Sequence, residues 1–277
     1  MRGIVTWNSE FAGTELLDGL TLIASRAAAA ILAVPSPELN QREKPDKSPV
    51  TAADEASEAV IVEGLAKFRP GIPVVSEEAT GRHAPKDVGQ RFFVVDPLDG
   101  TREFLAGRDE FTVNIAFVDN SVPVAGVIVA PARGLIWRAY VGRGAERLAL
   151  PPGAGLDAAR DRTAIRTRIR PAHGPRVLVS RSHLDAATTA YVDRLPLPER
   201  IACGSAVKFC LLAEGAADLY PRLAPTSEWD VAAGHALLTA AGGDVVKPDG
   251  TAIRYGRSDF RIPAFIAYGD ALSALPR

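Results

Sequence analysis

Four apolar residues, Phe92-Phe93-Val94-Val95, run directly into Asp96-Pro97-Leu98-Asp99-Gly100-Thr101, and no other stretch limits the fold as strongly. The run suits a short buried strand, and Pro97, which has no N–H to donate, predicts that the strand ends at Asp96. Gly100 permits a tight or left-handed turn. Thr101 to Leu105 then predicts a short helix whose free N–H groups point back at the aspartates, an arrangement that attracts phosphate. Two carboxylates flanking a main-chain carbonyl form an all-oxygen set of the kind that Mg2+ takes. Asp-Pro and Asp-Gly are also ordinary turn pairs, so the rest of the chain must discriminate.

With 277 residues the chain can build one large core or two modest domains sharing a cleft. A hydrophobic content of 47% and a charged content of 23% exclude wholesale disorder. The net charge of −1 gives no general attraction to nucleic acid or anionic membrane, so a polyanionic small molecule must be met by local charge. Cys203 and Cys210 lie too far apart along a helix to bond and read as core thiols. Without a CxxC motif, and with 4 histidines, the chain offers no soft-metal site and fits a reducing, cytoplasmic setting. The apolar stretch Leu16–Val34 is interrupted by Asp18 and Arg26 and lacks a basic leader, which favours a buried first helix over a membrane anchor.

Pro35 to Ser48 reads as a polar loop. Thr51-Ala52-Ala53-Asp54 fits a capping box opening a helix to about Phe68; Asp54 is either that cap or a carboxylate orienting Thr101. Ile72 to Ser76 reads as a strand that delivers Glu77-Glu78 beside Asp96, with a polar loop from Ala79 to Gln90. Two strand ends rich in acid point to a cation. Phe111–Val118, Val122–Val129 and Leu135–Tyr140 read as antiparallel strands, and no GxGxxG follows a strand. Gly142 to Arg170 contains the expected domain boundary, giving an α+β domain over 1–155 and an α/β domain over 156–277. In the second domain strands are expected at Val177–Val179, Ala217–Tyr220, Gly243–Val246 and Ala264–Tyr268. Helices are expected at Asp185–Leu195, Ser205–Glu214 and Trp229–Ala241, the last capped by Ser227. Asp230, in that helix's first turn, either favours the macrodipole or brings the second domain to the metals.

Ser76-Glu77-Glu78, Asp96-Pro97-Leu98-Asp99-Gly100-Thr101 and Trp229-Asp230 with Ala232-Ala233-Gly234 together resemble the signature of the inositol monophosphatase superfamily of Mg2+-dependent, lithium-sensitive phosphatases. Gly204 to Cys210, Ala213-Glu214-Gly215, Leu219 to Arg222 and Pro225-Thr226 are similar to bacterial 3'(2'),5'-bisphosphate nucleotidases of the CysQ type, as are Glu103-Phe104, Glu110–Ile115 and Val179–His183. Leu223-Ala224 and Ala206 depart from that pattern near the substrate wall. The resemblance implies a layered αβαβα sandwich of the inositol monophosphatase / fructose-1,6-bisphosphatase type. It implies removal of the 3'-phosphate of adenosine 3',5'-bisphosphate in sulfur metabolism. It assigns Glu77, Asp96 and the Leu98 carbonyl to one Mg2+, Asp96, Asp99 and Asp230 to a second, and a weaker third ion near Glu77. Thr101 and Asp54 would orient the attacking water, and Glu77 is counted with them as catalytic. Asp99, Gly100, Thr101, Ser205, Lys208, Arg222 and Asp230 would hold the substrate. Other phosphatases of the superfamily, acting on inositol 1-phosphate or fructose 1,6-bisphosphate, share the metal residues. A non-catalytic nucleotide sensor is the reading from another class. Whether the chain pairs as a homodimer or touches the inner membrane peripherally is left open.

Overall fold

The computed structural model describes residues 13–35, 42–43, 49–83 and 87–269. Most of the loop read at Pro35–Ser48, and part of that read at Ala79–Gln90, lie outside them. Helix α1 (Gly13–Leu32) turns Leu16, Leu20, Ile23, Ala27 and Ile31 inward, as the helical period of its apolar residues requires. A two-residue ribbon of β1 (Arg42–Glu43) and β2 (Pro49–Val50) leads to α2 (Ala52–Phe68). The capping box forms as read: the Thr51 hydroxyl accepts from the Ala53 N–H and the Asp54 carboxylate accepts from the Thr51 N–H.

β3 (Val74–Ser76), α3 (Glu77–His83), β4 (Arg91–Asp99) and α4 (Thr101–Leu105) follow. Two expectations change here. Glu77 and Glu78 do not enter a loop but open α3, where acids suit the positive helix start. The strand does not stop at Pro97 either. Its register against β5 (Thr112–Asp119) slips between Asp96 and Asp99, and such an irregularity accommodates a residue without an N–H.

β5, β6 (Val122–Ala130) and β7 (Leu135–Tyr140) form the expected antiparallel run, which β8 (Gly144–Ala149) and β9 (Arg160–Ile165) extend. The sheet order is β3-β4-β5-β6-β7-β8-β9, with β3 and β4 parallel. β9 is an edge strand exposed over Arg160–Ala164; without an alternating apolar face, its sequence reads as a linker. It lies beyond residue 155 yet completes this sheet. We therefore propose that the two halves divide between Ile165 and Arg176 rather than at 155/156.

The second half runs β10 (Arg176–Ser180), α5 (Ala186–Asp193), β11 (Glu199–Cys203), α6 (Val207–Ala213), β12 (Leu219–Arg222), β13 (Thr226–Ser227), α7 (Ala232–Ala241), β14 (Asp244–Val246), β15 (Arg261–Ile262) and β16 (Phe265–Tyr268). A five-stranded sheet orders as β11-β10-β12-β16-β14, and β13 and β15 form a separate ribbon. Only β11 was not foreseen from the sequence among the strands of this larger sheet.

Alternation along β4 shows how the layers stack. Phe93 and Val95 join α1 and α2 in one core, while Phe92 and Val94 join α6, α7 and the second sheet in another. On the far face of that second sheet, Val177, Val179, Leu219 and Ile266 pack with Val192 of α5. The result is the αβαβα sandwich. The middle layer is tight: a Cβ at Gly126 on β6 would lie 2.5 Å from the Ala233 carbonyl oxygen of α7. Arg138 is among the charges buried in this scaffold. Arg138 of β7 donates to Asp18 (2.7 Å), Glu146 (2.7 Å) and Thr21 (3.2 Å). Among the described residues no helix is long and apolar enough to cross a membrane.

Candidate active site

The end of β4 and the turn after it bring the first acids together. Asp96, buried at 1% exposure, accepts from the Leu98 N–H (3.1 Å). Gly100 adopts φ 93°, a left-handed value open to glycine, and so reverses the chain into α4. Asp230 comes from the other half, and its place corrects the sequence reading. α7 begins at Ala232 after Val231, without a side-chain cap from Ser227, and Asp230 sits in the preceding turn. That turn is fixed from within: Asp230 accepts from the Ser227 N–H (3.0 Å) and the Thr226 hydroxyl. Buried Glu228 accepts from the N–H groups of Gly256 (2.8 Å) and Arg257 (3.0 Å), which anchors the turn to the following loop.

Asp96, Asp99 and Asp230 each present a carboxylate oxygen within 4.8 Å of the others. Burial first, and the Asp230 charge second, push the Asp99 pKa up to about 6, although Lys208, Asn114 and Arg222 oppose the shift. Asn114 of β5 donates to Asp99 (3.3 Å), and its own carbonyl oxygen is buried without a hydrogen-bond partner. A compact all-oxygen group whose like charges hinder ionisation fits a small hard dication.

Asp54 reaches this group from α2. It is 2% exposed, and its second oxygen accepts from the Thr101 hydroxyl at 3.2 Å. The same hydroxyl lies 3.2 Å from the Leu98 carbonyl, so its single proton has two acceptors. The sequence left Asp54 as cap or as partner of Thr101; the structure makes it both.

These groups open into a cleft of ≈ 250 Å3 lined by both halves, including Glu77, Asp96, Leu98, Asp99, Gly100, Thr101, Ser205, Lys208, Arg222 and Asp230. Every side chain read as a metal or substrate ligand therefore lines one cleft, with Asp54 behind Thr101. Lys208 is not solvated there. It is 3% exposed, and its ammonium donates to the carbonyls of Cys203 (3.3 Å) and Ser205 (2.5 Å) beneath the Tyr220 ring. Ser205 is held at φ 45°. Burial alone would lower the Arg222 pKa, but Tyr220 and Asp230 raise it above its ordinary value, and its Nε is buried without a hydrogen-bond partner. His183 is held below its ordinary value by burial and by the charges of Arg222 and Arg102. Asn114, Arg102, His183 and Arg261 line or adjoin the site without having been assigned to it from the sequence. His183 was visible within the Val179–His183 segment and Asn114 within Glu110–Ile115, but neither segment gave its polar residue a role.

The sandwich with its acid cluster is the arrangement expected of the phosphatase family that the sequence resembles. A model described as the inositol monophosphatase family matches residues 14–270, and the chain belongs to that family. It is 40% identical to the 3'(2'),5'-bisphosphate nucleotidase CysQ of Escherichia coli (strain K12) over 255 residues, 90% of this chain and 98% of the relative. The protein of the same name from Buchnera aphidicola is 34% identical over 94% of each chain. Among solved structures, CysQ from Bacteroides thetaiotaomicron matches with a TM-score of 0.77 and 34% identity, over 95% of this chain and 100% of that one. An inositol monophosphatase from Anabaena (Nostoc) matches with a TM-score of 0.71 and 26% identity, over 92% and 91%.

Proposed function

We propose that this chain is a Mg2+-dependent phosphomonoesterase that removes the 3'-phosphate of adenosine 3',5'-bisphosphate, giving AMP and phosphate. The observation that carries this reading is one cleft holding the Asp96, Asp99 and Asp230 carboxylates together with Arg222, Lys208 and Arg102. Acids that would hold cations beside fixed positive charge suit a substrate with two phosphates. The 40% identity to a protein named 3'(2'),5'-bisphosphate nucleotidase supports the choice of nucleotide.

Glu77, Asp96 and the Leu98 carbonyl would hold one Mg2+ and Asp96, Asp99 and Asp230 a second, with a weaker third near Glu77. When bound, such ions supply an activated water and stabilise the leaving oxygen. With its hydroxyl donating to Asp54 rather than to the Leu98 carbonyl, Thr101 would accept a hydrogen bond from the attacking water, and as the water's proton passes to Thr101 the Thr101 proton would pass to the Asp54 carboxylate. With its other oxygen, Asp54 is held by Thr51 and cannot turn away. The N–H groups of Gly100 and Thr101 would hold the remaining phosphate oxygens. Ser205, Lys208 and Arg222 would meet the second phosphate and the nucleoside, Lys208 largely by fixing the loop that carries Ser205. Both cysteines are buried and burial pushes their pKa values up, so neither is a nucleophile for a covalent phosphoenzyme.

Phosphate release from adenosine 3',5'-bisphosphate, inositol 1-phosphate and fructose 1,6-bisphosphate, each with Mg2+ and with chelator, tests the reading. The expected result is Mg2+-dependent turnover with the highest kcat/KM on the nucleotide. A higher kcat/KM on the inositol or sugar phosphate would overturn the substrate, and tight nucleotide binding without turnover would favour a sensor.

A further inference from the structure

Between the phosphate turn and the basic wall stands a group of side chains that neither lines a metal nor has a place in the chemistry above. Glu110, which precedes β5, receives Arg181 twice, from Nε at 2.9 Å and Nη2 at 2.7 Å. It also receives the Gly204 N–H at 2.8 Å. Arg181 follows β10, and its Nη2 donates onward to the Ala202 carbonyl at 2.9 Å, while its N–H donates to Cys203. Next to this clamp, Ser182 donates to buried Glu103 of α4. Two acids from the segment that carries Gly100 and Thr101 thus bind the two second-half loops, Ser180–His183 and Gly204–Ser205, that form the wall.

Packing shows how closely the parts are registered. A Cβ on Gly100 would lie 3.0 Å from the Glu110 carbonyl oxygen and 3.3 Å from Cβ of Ser205. One on Gly204 would lie 2.8 Å from Cγ of Glu103 and 3.0 Å from the same Glu110 oxygen. Glu110 therefore abuts the phosphate turn with its backbone and grips the wall with its side chain. The guanidinium of Arg181, the first cause, holds the Glu110 carboxyl below its ordinary value, so it is ionised at neutral pH.

We infer that Glu110 and Arg181 are positioning residues that set the distance between the phosphate-binding turn and the Gly204–Ser205 wall, and hence the enzyme's preference for a substrate with two anionic groups over one with a single phosphate. A monophosphate needs only the turn. A bisphosphate must meet the turn and the wall together, so its binding depends on their spacing. The inference rests on the proposed bisphosphate substrate.

The test compares wild type, Arg181→Lys, Arg181→Ala and Glu110→Gln on adenosine 3',5'-bisphosphate and adenosine 3'-monophosphate. For Arg181→Ala, KM for the bisphosphate is expected to rise about tenfold with kcat nearly kept, and the monophosphate constants to stay within about twofold. Arg181→Lys, which keeps the charge but loses the fork, should fall between. Equal losses on both substrates, or no loss on either, overturn the inference. Amide hydrogen exchange on the same variants keeps it testable independently of the substrate. Protection should drop at 180–183 and 204–207 while α2 is unchanged, and a uniform drop would mark a merely structural pair. Wild type that fails to prefer the bisphosphate would instead refute the substrate reading, leaving the exchange result to judge the clamp.

Discussion

Arg138, buried in the scaffold, and Asp99, half-buried at the cleft, are charges that the fold treats in opposite ways. Arg138 is surrounded by what it needs: two carboxylates, Asp18 and Glu146, and the Thr21 hydroxyl, brought from α1 and β8. Asp99 is crowded by acids instead. Lys208 and Arg222 offset part of that repulsion, yet its pKa still stands at about 6. A scaffold able to surround one charge with partners has left another group short of positive charge, and the shortfall sits in the acid cluster proposed to hold a cation. The contrast separates a site built for the fold from one held for a ligand.

The largest expected effect falls on the acid side. Asp99→Asn should lower kcat by about 10³-fold or more while the metal-free protein unfolds no earlier than wild type in urea. A stability loss above about 1 kcal/mol would mean that the acid cluster supports the fold after all and would dissolve the contrast. On the other side, Arg138→Ala should cost about 1–3 kcal/mol in urea unfolding, because a buried side chain and its hydrogen bonds to two part-exposed acids and the Thr21 hydroxyl are lost. If it unfolded within about 0.5 kcal/mol of wild type, the scaffold charge would be no better integrated than the site charge.

A pH series in chelator sharpens the same point with a smaller effect. Because the Asp99 pKa is raised in the folded state, the folded chain binds a proton that the unfolded chain does not over the range from about 6 down toward the ordinary aspartate value. Stability should therefore rise as pH falls through that window, and Asp99→Asn should flatten the rise. Glu110 supplies the opposite sign and the smallest change. Its pKa is depressed by Arg181, so its contribution is present above the ordinary glutamate value and fades as pH falls below it. The stability gap between wild type and Arg181→Ala should close on acidification, and a gap constant from pH 7 to 3 would show that Arg181 acts through packing alone.

The acid turn was legible because its residues are local: Asp96, Asp99 and Thr101 lie within six positions, and one strand and one glycine fix their relation. The capping box at Thr51 was legible for the same reason, as were β5 to β7, whose apolar runs are long and separated by turn residues. What escaped depended on distant partners or on surfaces without pattern. Glu110 and Arg181 meet across 71 positions, and nothing local to either announces the other. β9 reads as a linker because its exposed residues carry no period. Pro97 was read as the end of a strand because proline cannot donate, whereas the register slip at that point lets β4 continue. Asp230 was placed one turn too far along because Trp229 to Ala241 is apolar enough to be helical throughout, and the hydrogen bonds that hold the preceding turn come from Thr226 and Ser227.

Asp54 divides its two oxygens between tasks, one closing the start of α2 and the other taking the Thr101 hydroxyl. Selection therefore acts on one carboxylate twice. In a lineage released from catalysis, Asp99, which the bare fold tolerates poorly, would be free to drift first, while Thr51 and Asp54 would persist for the sake of the helix. The order in which acids vanish from descendants of this fold is thus a record of which of them the scaffold required, and retention of Asp54 by itself is no sign of a working enzyme.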